Sequence, residues 1–534
     1  MSTKELLKKA EDASLIYDDL KTRFQLEDHD ITFYADESKY VTLKANIRKP
    51  NPFPFPLDAV IRSKRKPAVE QLFEKENIVQ TAAIAATLTA IQSLGLEIGA
   101  LRGDKTEGAE IHTDLAYSGF QAVRLYFCDY QEKAFTKSRN QSAVNVDNAF
   151  NGSFFKYTAK DDRQVSFHVY YQSQVEKLSK ALKMKKSYDK YTLFSLPFDK
   201  KELAKKCRQY TAEELQELAF DCGACGCKIQ TREEWEGSEV GKAVMTMPLV
   251  RIESEGSGEA FSLDSNTERG PLTGIKVLDL THIIAGPCCS RLLAELGADV
   301  LMVRRKDYCH QEQAMLELDG WGGKNSIQLD FNKEEELQRA KELIRKADVI
   351  TLSYQQGCFD HFGLSYEEIR RLNPNVIFSE LVCFSDSVWY TRPGWAPLAE
   401  DITGLSIRNG SKENPVNLNG VPLDYFPGML LALGTLKAIK NRLTDHGIYH
   451  VMTSLTRGAQ YLHEVSDLVK EKKTADSSIR EEKPMDDIWK DSYVYLEDTS
   501  IGNVGFPVPG SINTYYGFKK ENLNFHSGQS DFRK

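Results

Sequence analysis

The amino-acid sequence predicts an α/β protein, with a large parallel-sheet domain in the second half of the chain and a smaller mixed α/β domain before it. Three observations carry this. After residue 270, short Val-, Ile- and Leu-rich runs alternate with helical segments, the β-α-β rhythm of a parallel sheet covered by helices. Before it, strand-like and helical stretches are mixed without that rhythm. Between the two lies 253–270, ESEGSGEAFSLDSNTERG, polar and Gly/Ser-rich, which reads as a linker. A chain of 534 residues is also too long for one ordinary core.

Taken in order, residues 1–75 form a helical and irregular N-terminal segment. It opens on an amphipathic stretch, and Pro50, Pro52, Pro54 and Pro56 punctuate it. Residues 76–252 hold the first helix and the smaller domain. An Ala-rich buried helix spans 77–102, and a short strand comes next at Ala109–Leu115. A hairpin lies within 151–172 and turns near Asp161 and Asp162. Helices are expected near 174–184 and 212–220. Residues 271–470 are the large domain. Its strands are expected at 275–280, 300–303, 349–352 and 376–381, and its helices at 287–297, 333–347 and 366–372, with Pro287 suited to a first turn. Residues 471–534 are polar and irregular and read as a wrapping tail. A weak internal repeat relates the segment that opens on AAIAATLTAIQSLGLEIGAL to the segment that opens on MLLALGTLKAIKNRL. Each reads as a long helix, a polar turn, a strand and a helix.

Composition narrows the function classes. The 69 Lys and Arg against 77 Asp and Glu give a net charge of -8, so no basic footprint for nucleic acid or an anionic membrane is expected. The stretch Ala82–Ala100 is interrupted by Thr87, Thr89, Gln92, Ser93 and Glu97 and reads as an internal helix rather than a membrane span. The start lacks an apolar signal core, and the end, DFRK, is not the Ser-Lys-Leu address. A cytoplasmic setting is expected, with mitochondrial and peroxisomal ones left open. Ten cysteines are too sparse for a disulfide scaffold. Cys222, Cys225 and Cys227 read as a small-residue turn after a helix, and no metal is expected, since no second Cys or His pair matches their spacing.

The most specific stretch is PLTGIKVLDLTHIIAGPCCSRLLAELGADVLMVRR, residues 271–305. A strand delivers the chain to a tight loop, Gly286 permits close approach, and the start of the next helix offers free N–H groups to an anion. This run resembles the opening of class III CoA-transferases, the CaiB/BaiF family. The resemblance continues through GGKNSIQLDF at 322–331, the strand–helix–strand run ending in SEL at 379–381, GWAPLAEDITGL at 394–405 and IYHVMTSLTRGAQYL at 448–462. The hairpin region and residues 231–250 look like parts of that family's small domain, placed here before the large one. The resemblance implies a Rossmann-like, CoA-binding large domain in an interlocked architecture, and a homodimer in which one chain's small domain completes the other's cleft. It also implies acyl-CoA and a carboxylic acid as substrates, with coenzyme A as the group moved. The cofactor contacts it implies are His282, Ile284, Ala285, Arg305, Lys324, Tyr354, His361 and Cys383.

The sequence departs from that pattern at several points. Where the family carries a catalytic acid after Gly and an aromatic, this chain has Ala396 after Gly394 and Trp395, and alanine offers no nucleophile. Glu400 lies four residues on, on the same helical face, with Asp401 beside it. These two are the substitute candidates for catalysis. A Gly-aromatic-Gly loop reads Cys383, Phe384, Ser385, an Arg-Pro or similar pair reads Gln355, Gln356, and a basic contact one turn later reads His361. The expected activity is therefore transfer of CoA between carboxylic acids. The alternatives are an acyl-CoA racemase or isomerase of the same fold, and a catalytically decayed CoA-fold binding protein.

Overall fold

The computed structural model describes residues 3–35, 78–122, 154–185, 199–305, 318–471 and 493–532, with Arg124, 129–130 and 479–480. Short breaks inside these ranges fall at 170–171, 260, 262, 264–265, 386–387, 419–420, 500–501, 508, 528 and 530. The Pro-punctuated stretch at 50–56 and the middle of the tail lie outside the described residues.

The large domain is built on an eight-stranded sheet. Its spatial order is His526–Ser527, Lys324–Leu329, Asp299–Arg305, Lys276–Leu280, Val349–Leu352, Ile377–Val382, Gly447–Ser454, Arg251–Ser257. All neighbours are parallel except the last pair. The six central strands, numbered along the chain, run 3-2-1-4-5-6 across the sheet, the Rossmann order. The first three strands grow one way from Lys276–Leu280 and the next three grow the other way. That leaves a crevice at the carboxyl ends of Lys276–Leu280 and Val349–Leu352, where open α/β sheets bind ligands. The strands read as continuous apolar runs because both sheet faces are covered. Val349–Leu352 and Ile377–Val382 are buried at every residue.

The expected linker is corrected at its start. Residues 251–257 form an edge strand, antiparallel to Gly447–Ser454. Its outer residues, Glu253 to Ser257, are exposed, so a polar composition is compatible with pairing on one side only. The helix placed at 287–297 begins two residues earlier and spans Ala285–Glu295, with Pro287 in its first turn.

The smaller domain contains the antiparallel pair Phe154–Thr158 and Gln164–His168, extended by Gly226–Lys228. Asp162 occupies the turn at φ 59°, a left-handed conformation that Asp tolerates better than most residues. Helices Gln172–Ala181, Lys200–Cys207 and Ala212–Asp221 pack on it. Thr211 and Glu214 close a reciprocal capping box at the start of the last of these. Cys222 caps that helix at its C-terminus, and Cys227 lies in the short third strand.

The Ala-rich segment forms the helix Gln80–Leu101, and it is apolar and long enough to cross a membrane. It is 83% buried over its apolar window, packed against Thr3–Phe24 and Pro422–Asp445. The internal repeat is architectural. Gln80–Leu101, Glu110–Asp114 and Leu115–Gln121 keep the same helix–strand–helix order as Pro422–Asp445, Gly447–Ser454 and Leu455–Glu471. In both, a polar side chain at the end of the strand accepts from the helix start: Asp114 from Tyr117 N–H and Ser454 from Arg457 N–H. The tail does wrap. Ser511–Asn513 joins the sheet of Glu110–Asp114, and His526–Ser527 joins the large sheet.

Candidate active site

A cavity of about 510 Å³ opens at the carboxyl edge of the large sheet. Five parallel strands reach it by their last residue or the loop just beyond. They contribute 282–286, Arg305, 353–356, 381–383 and Leu455. Ser173, Gln174, Lys177, Gly223 and Cys225 of the smaller domain form the facing wall. Both walls therefore come from one chain.

The loop 281–286 is shaped by close contacts. Ile283 sits at φ 65°, an outlier for a β-branched residue and a mark of a constrained functional turn. A Cβ on Gly286 would lie 2.5 Å from Thr281 Cβ and 2.6 Å from Ser353 Oγ. Glycine is thus required by the close approach of the Thr281 and Ser353 side chains. The next helix starts at Ala285 with no side-chain cap, so its first N–H groups are left to whatever enters.

Six of the ten expected site residues line the cavity: His282, Ile284, Ala285, Arg305, Tyr354 and Cys383. The His282 ring stacks on Tyr354 with centroids 4.0 Å apart, and its backbone N–H donates to Ser353 Oγ at 3.1 Å. Burial pulls the imidazole down to about 4, so it is neutral at pH 7. Arg305 is exposed at the end of its strand. Burial pushes the Cys383 thiol far up, so it is present as the thiol.

Four residues stand elsewhere. Lys324 is fully buried behind the loop, where its ammonium donates to Asp279 Oδ2 at 2.7 Å, Ser290 Oγ at 2.7 Å and Pro287 O at 3.0 Å. All three of its donors are engaged, and none is left for a phosphate. His361 lies exposed on a short turn, its ring against Phe362. Glu400 and Asp401 are buried in the helix Ala396–Thr403 and are not among the residues that line the cavity. Glu400 accepts from Leu418 N–H at 2.8 Å. Asp401 accepts from Lys156 at 3.0 Å, His168 Nε2 at 3.3 Å and Asn417 at 3.2 Å, which ties the small-domain hairpin to this helix. Ala396 is 2% exposed and also lies outside the lining.

The structure adds residues that sequence reasoning passed over. Arg392 forms a two-armed pair with Glu217 at 3.0 and 2.6 Å, and its guanidinium lies over the rings of Phe220 and Trp389. Lys177 is an exposed cation on the facing wall. Asp424, in the first turn of Pro422–Asp445, is the sole carboxylate among the lining residues described. Burial pushes it up to about 7. In the sequence it passes for an ordinary acid at a helix start.

The loop with Cys383 in place of glycine is accommodated by Gly394, where a Cβ would lie 2.1 Å from Cys383 Sγ. Gly394→Ala is expected to destabilise by about 1–3 kcal/mol through overpacking. Adding Cys383→Gly should recover most of that loss in urea unfolding. Equal losses in the single and double variants would show that the two sites do not press on each other.

Comparison with known proteins bears on residues 272–483, which match the model of CoA-transferase family III. An acyl-CoA transferase of Gibberella moniliformis is 30% identical over 48% of this chain and 47% of its own length. A formyl-CoA:oxalate CoA-transferase of Escherichia coli is 31% identical over 32% of this chain and 44% of its own length. The chain thus spans about half the length of these curated relatives, or less. Among solved structures, a CaiB/BaiF family protein from Brucella suis is 23% identical over 44% of this chain and 65% of that chain, with a TM-score of 0.35. What the comparisons show is a stretch, residues 272–483, that is similar to CoA-transferase family III.

Proposed function

We propose that this chain binds an acyl-CoA thioester in the cavity at the carboxyl edge of the large sheet and moves CoA between carboxylic acids. The observation that carries this is the cavity itself. It lies at the topological switch point, has the size of a small-molecule site, and meets an uncapped helix start with Arg305 at its rim. Helix N–H groups and a guanidinium suit the phosphates of an anionic nucleotide. The apolar wall of Ile284, Leu381, Val382 and Leu455 suits a pantetheine arm or acyl chain. The match to the family model and the names of the similar acyl-CoA and formyl-CoA transferases support the same reading.

The homodimer implied by the resemblance is not needed to close this cleft, because both of its walls come from one chain. The neutral His282 acts here as a fixed part of the loop, held by its stack on Tyr354 and its bond to Ser353.

Calorimetry with coenzyme A tests the proposal. Arg305→Ala is expected to weaken binding by roughly 1–3 kcal/mol, the worth of a charge-assisted hydrogen bond to phosphate. Unchanged affinity would remove Arg305 from the site. Absence of binding by the unaltered chain would overturn the acyl-CoA reading as a whole.

A further inference from the structure

We propose that Asp424 supplies the nucleophilic carboxylate of this cleft, in the role left open by Ala396. The inference rests on the acyl-CoA reading above. Its first support is position. Asp424 is the only carboxylate among the described residues that line the cavity. Ala396 is buried outside it, and Glu400 and Asp401 are engaged elsewhere, on Leu418 N–H and on Lys156, His168 and Asn417.

Its second support is the way the helix Pro422–Asp445 meets the loop. Gly428 lies one turn beyond Asp424, and a Cβ there would be 2.2 Å from Ala285 O. Residues four apart share a helix face, and side chains lean toward the helix N-terminus. Asp424 therefore stands on the face that abuts the loop 282–286, beside the uncapped start of Ala285–Glu295. An attacking oxygen and N–H donors for the oxygen of a thioester carbonyl are thus held in one wall. Among the described residues no side-chain or backbone donor meets the Asp424 carboxylate. With burial holding its carboxyl up to about 7, a substantial ionised fraction persists at neutral pH and is more basic than an ordinary aspartate.

The step balances without a further reagent. An Asp424 oxygen attacks the thioester carbonyl carbon, the C–S bond breaks, and sulfur leaves as the CoA thiolate. The product is an acyl anhydride on residue 424. The thiolate then attacks the aspartyl carbonyl carbon, releasing the donor as its carboxylate and leaving CoA as a thioester on Asp424. An incoming carboxylate reverses the two steps and departs as the new acyl-CoA.

Covalent trapping decides it. The full chain is incubated with acetyl-CoA or succinyl-CoA and then with hydroxylamine, and the peptides are mapped by mass spectrometry. An aspartyl-CoA thioester yields a hydroxamate on residue 424. Asp424→Asn is expected to abolish that label and to lower CoA transfer on the order of a thousand-fold or more. It should leave CoA affinity in calorimetry within about threefold, because the amide is nearly the same size and lacks only the charge. Its thermal midpoint shows whether the variant is folded. A hydroxamate on Glu400 or any other carboxylate would overturn the proposal, as would bound acyl-CoA with no label. So would uptake of deuterium from D2O at the acyl α-carbon without a hydroxamate, which would make Asp424 a base. An unaltered chain that binds neither CoA nor acyl-CoA would instead overturn the reading of the cleft on which this rests.

Discussion

Replacing Lys324 by Met is expected to destabilise the protein by about 3–5 kcal/mol, the cost of leaving one member of a buried ion pair without its partner. Asp279 and Lys324 are both inaccessible, and their charged atoms meet at 2.7 Å. Burial opposes the charge on Asp279. The nearby ammonium, together with hydrogen bonds from Lys324, Ser290 and Thr281, outweighs that and holds the carboxyl below its ordinary range. Asp279 is the last residue but one of the strand Lys276–Leu280, Thr281 and Pro287 bracket the loop 282–286, and Ser290 stands in the helix after it. One ammonium thus secures the geometry that the cavity depends on. The double variant Asp279→Leu, Lys324→Met should recover much of the loss, since no lone charge is then buried. Urea unfolding at pH 7 measures both. A single variant as stable as the parent, with CoA affinity reduced, would return Lys324 to the phosphate contact that the family resemblance implied.

The parts of the fold legible in the sequence are those whose signals are local. The strands at 275–280, 349–352 and 376–381 were readable because a parallel strand covered on both faces is an unbroken apolar run. The hairpin at 154–168 was readable from its alternation and its acidic turn. The edge strand Arg251–Ser257 was not, because a strand paired on one side and open to water on the other has the composition of a linker. The loop 282–286 could be located from its glycine and the helix after it. Lys324 could not be assigned, since a lysine fully buried on an aspartate 45 residues away reads as a surface cation until the two strands are placed together. Asp424 was missed for the same reason. Only the packing of its helix against Ala285 brings it to the cavity. The helical spacing from Ala396 to Glu400 was sound as geometry. It carried no information on which way that face points, and that is set by Leu418 and the small-domain hairpin.

Glu400→Gln should stabilise the protein progressively as pH rises, by roughly 3–5 kcal/mol at pH 8 and by almost nothing near pH 4. Burial pushes the Glu400 carboxyl up to about 8 from its ordinary 4.5, and the charge of Asp401 adds to the rise. The Leu418 N–H, Asn417 and Lys156 only partly oppose it. Asp401 is the member of the pair that ionises. Burial resists its charge, but His168 and Lys156 outweigh that and hold it well below the usual range. Proton counting gives the sign. Between pH 4.5 and 8 the folded protein keeps a proton on Glu400 that the unfolded chain has released, so the parent loses stability across that window. The benefit of the neutral form is complete below about 4.5 and is lost as pH rises through 8. Glutamine stays neutral throughout, and its oxygen can still accept from Leu418 N–H. Urea unfolding of parent and variant at several pH values between about 4 and 9 reads the difference. The same variant separates the two carboxylates. Hydroxylamine trapping should be unchanged in Glu400→Gln and lost in Asp424→Asn. A stability gap that does not grow with pH, combined with loss of trapping in Glu400→Gln, would make Glu400 the nucleophile and Asp424 a helix-start acid.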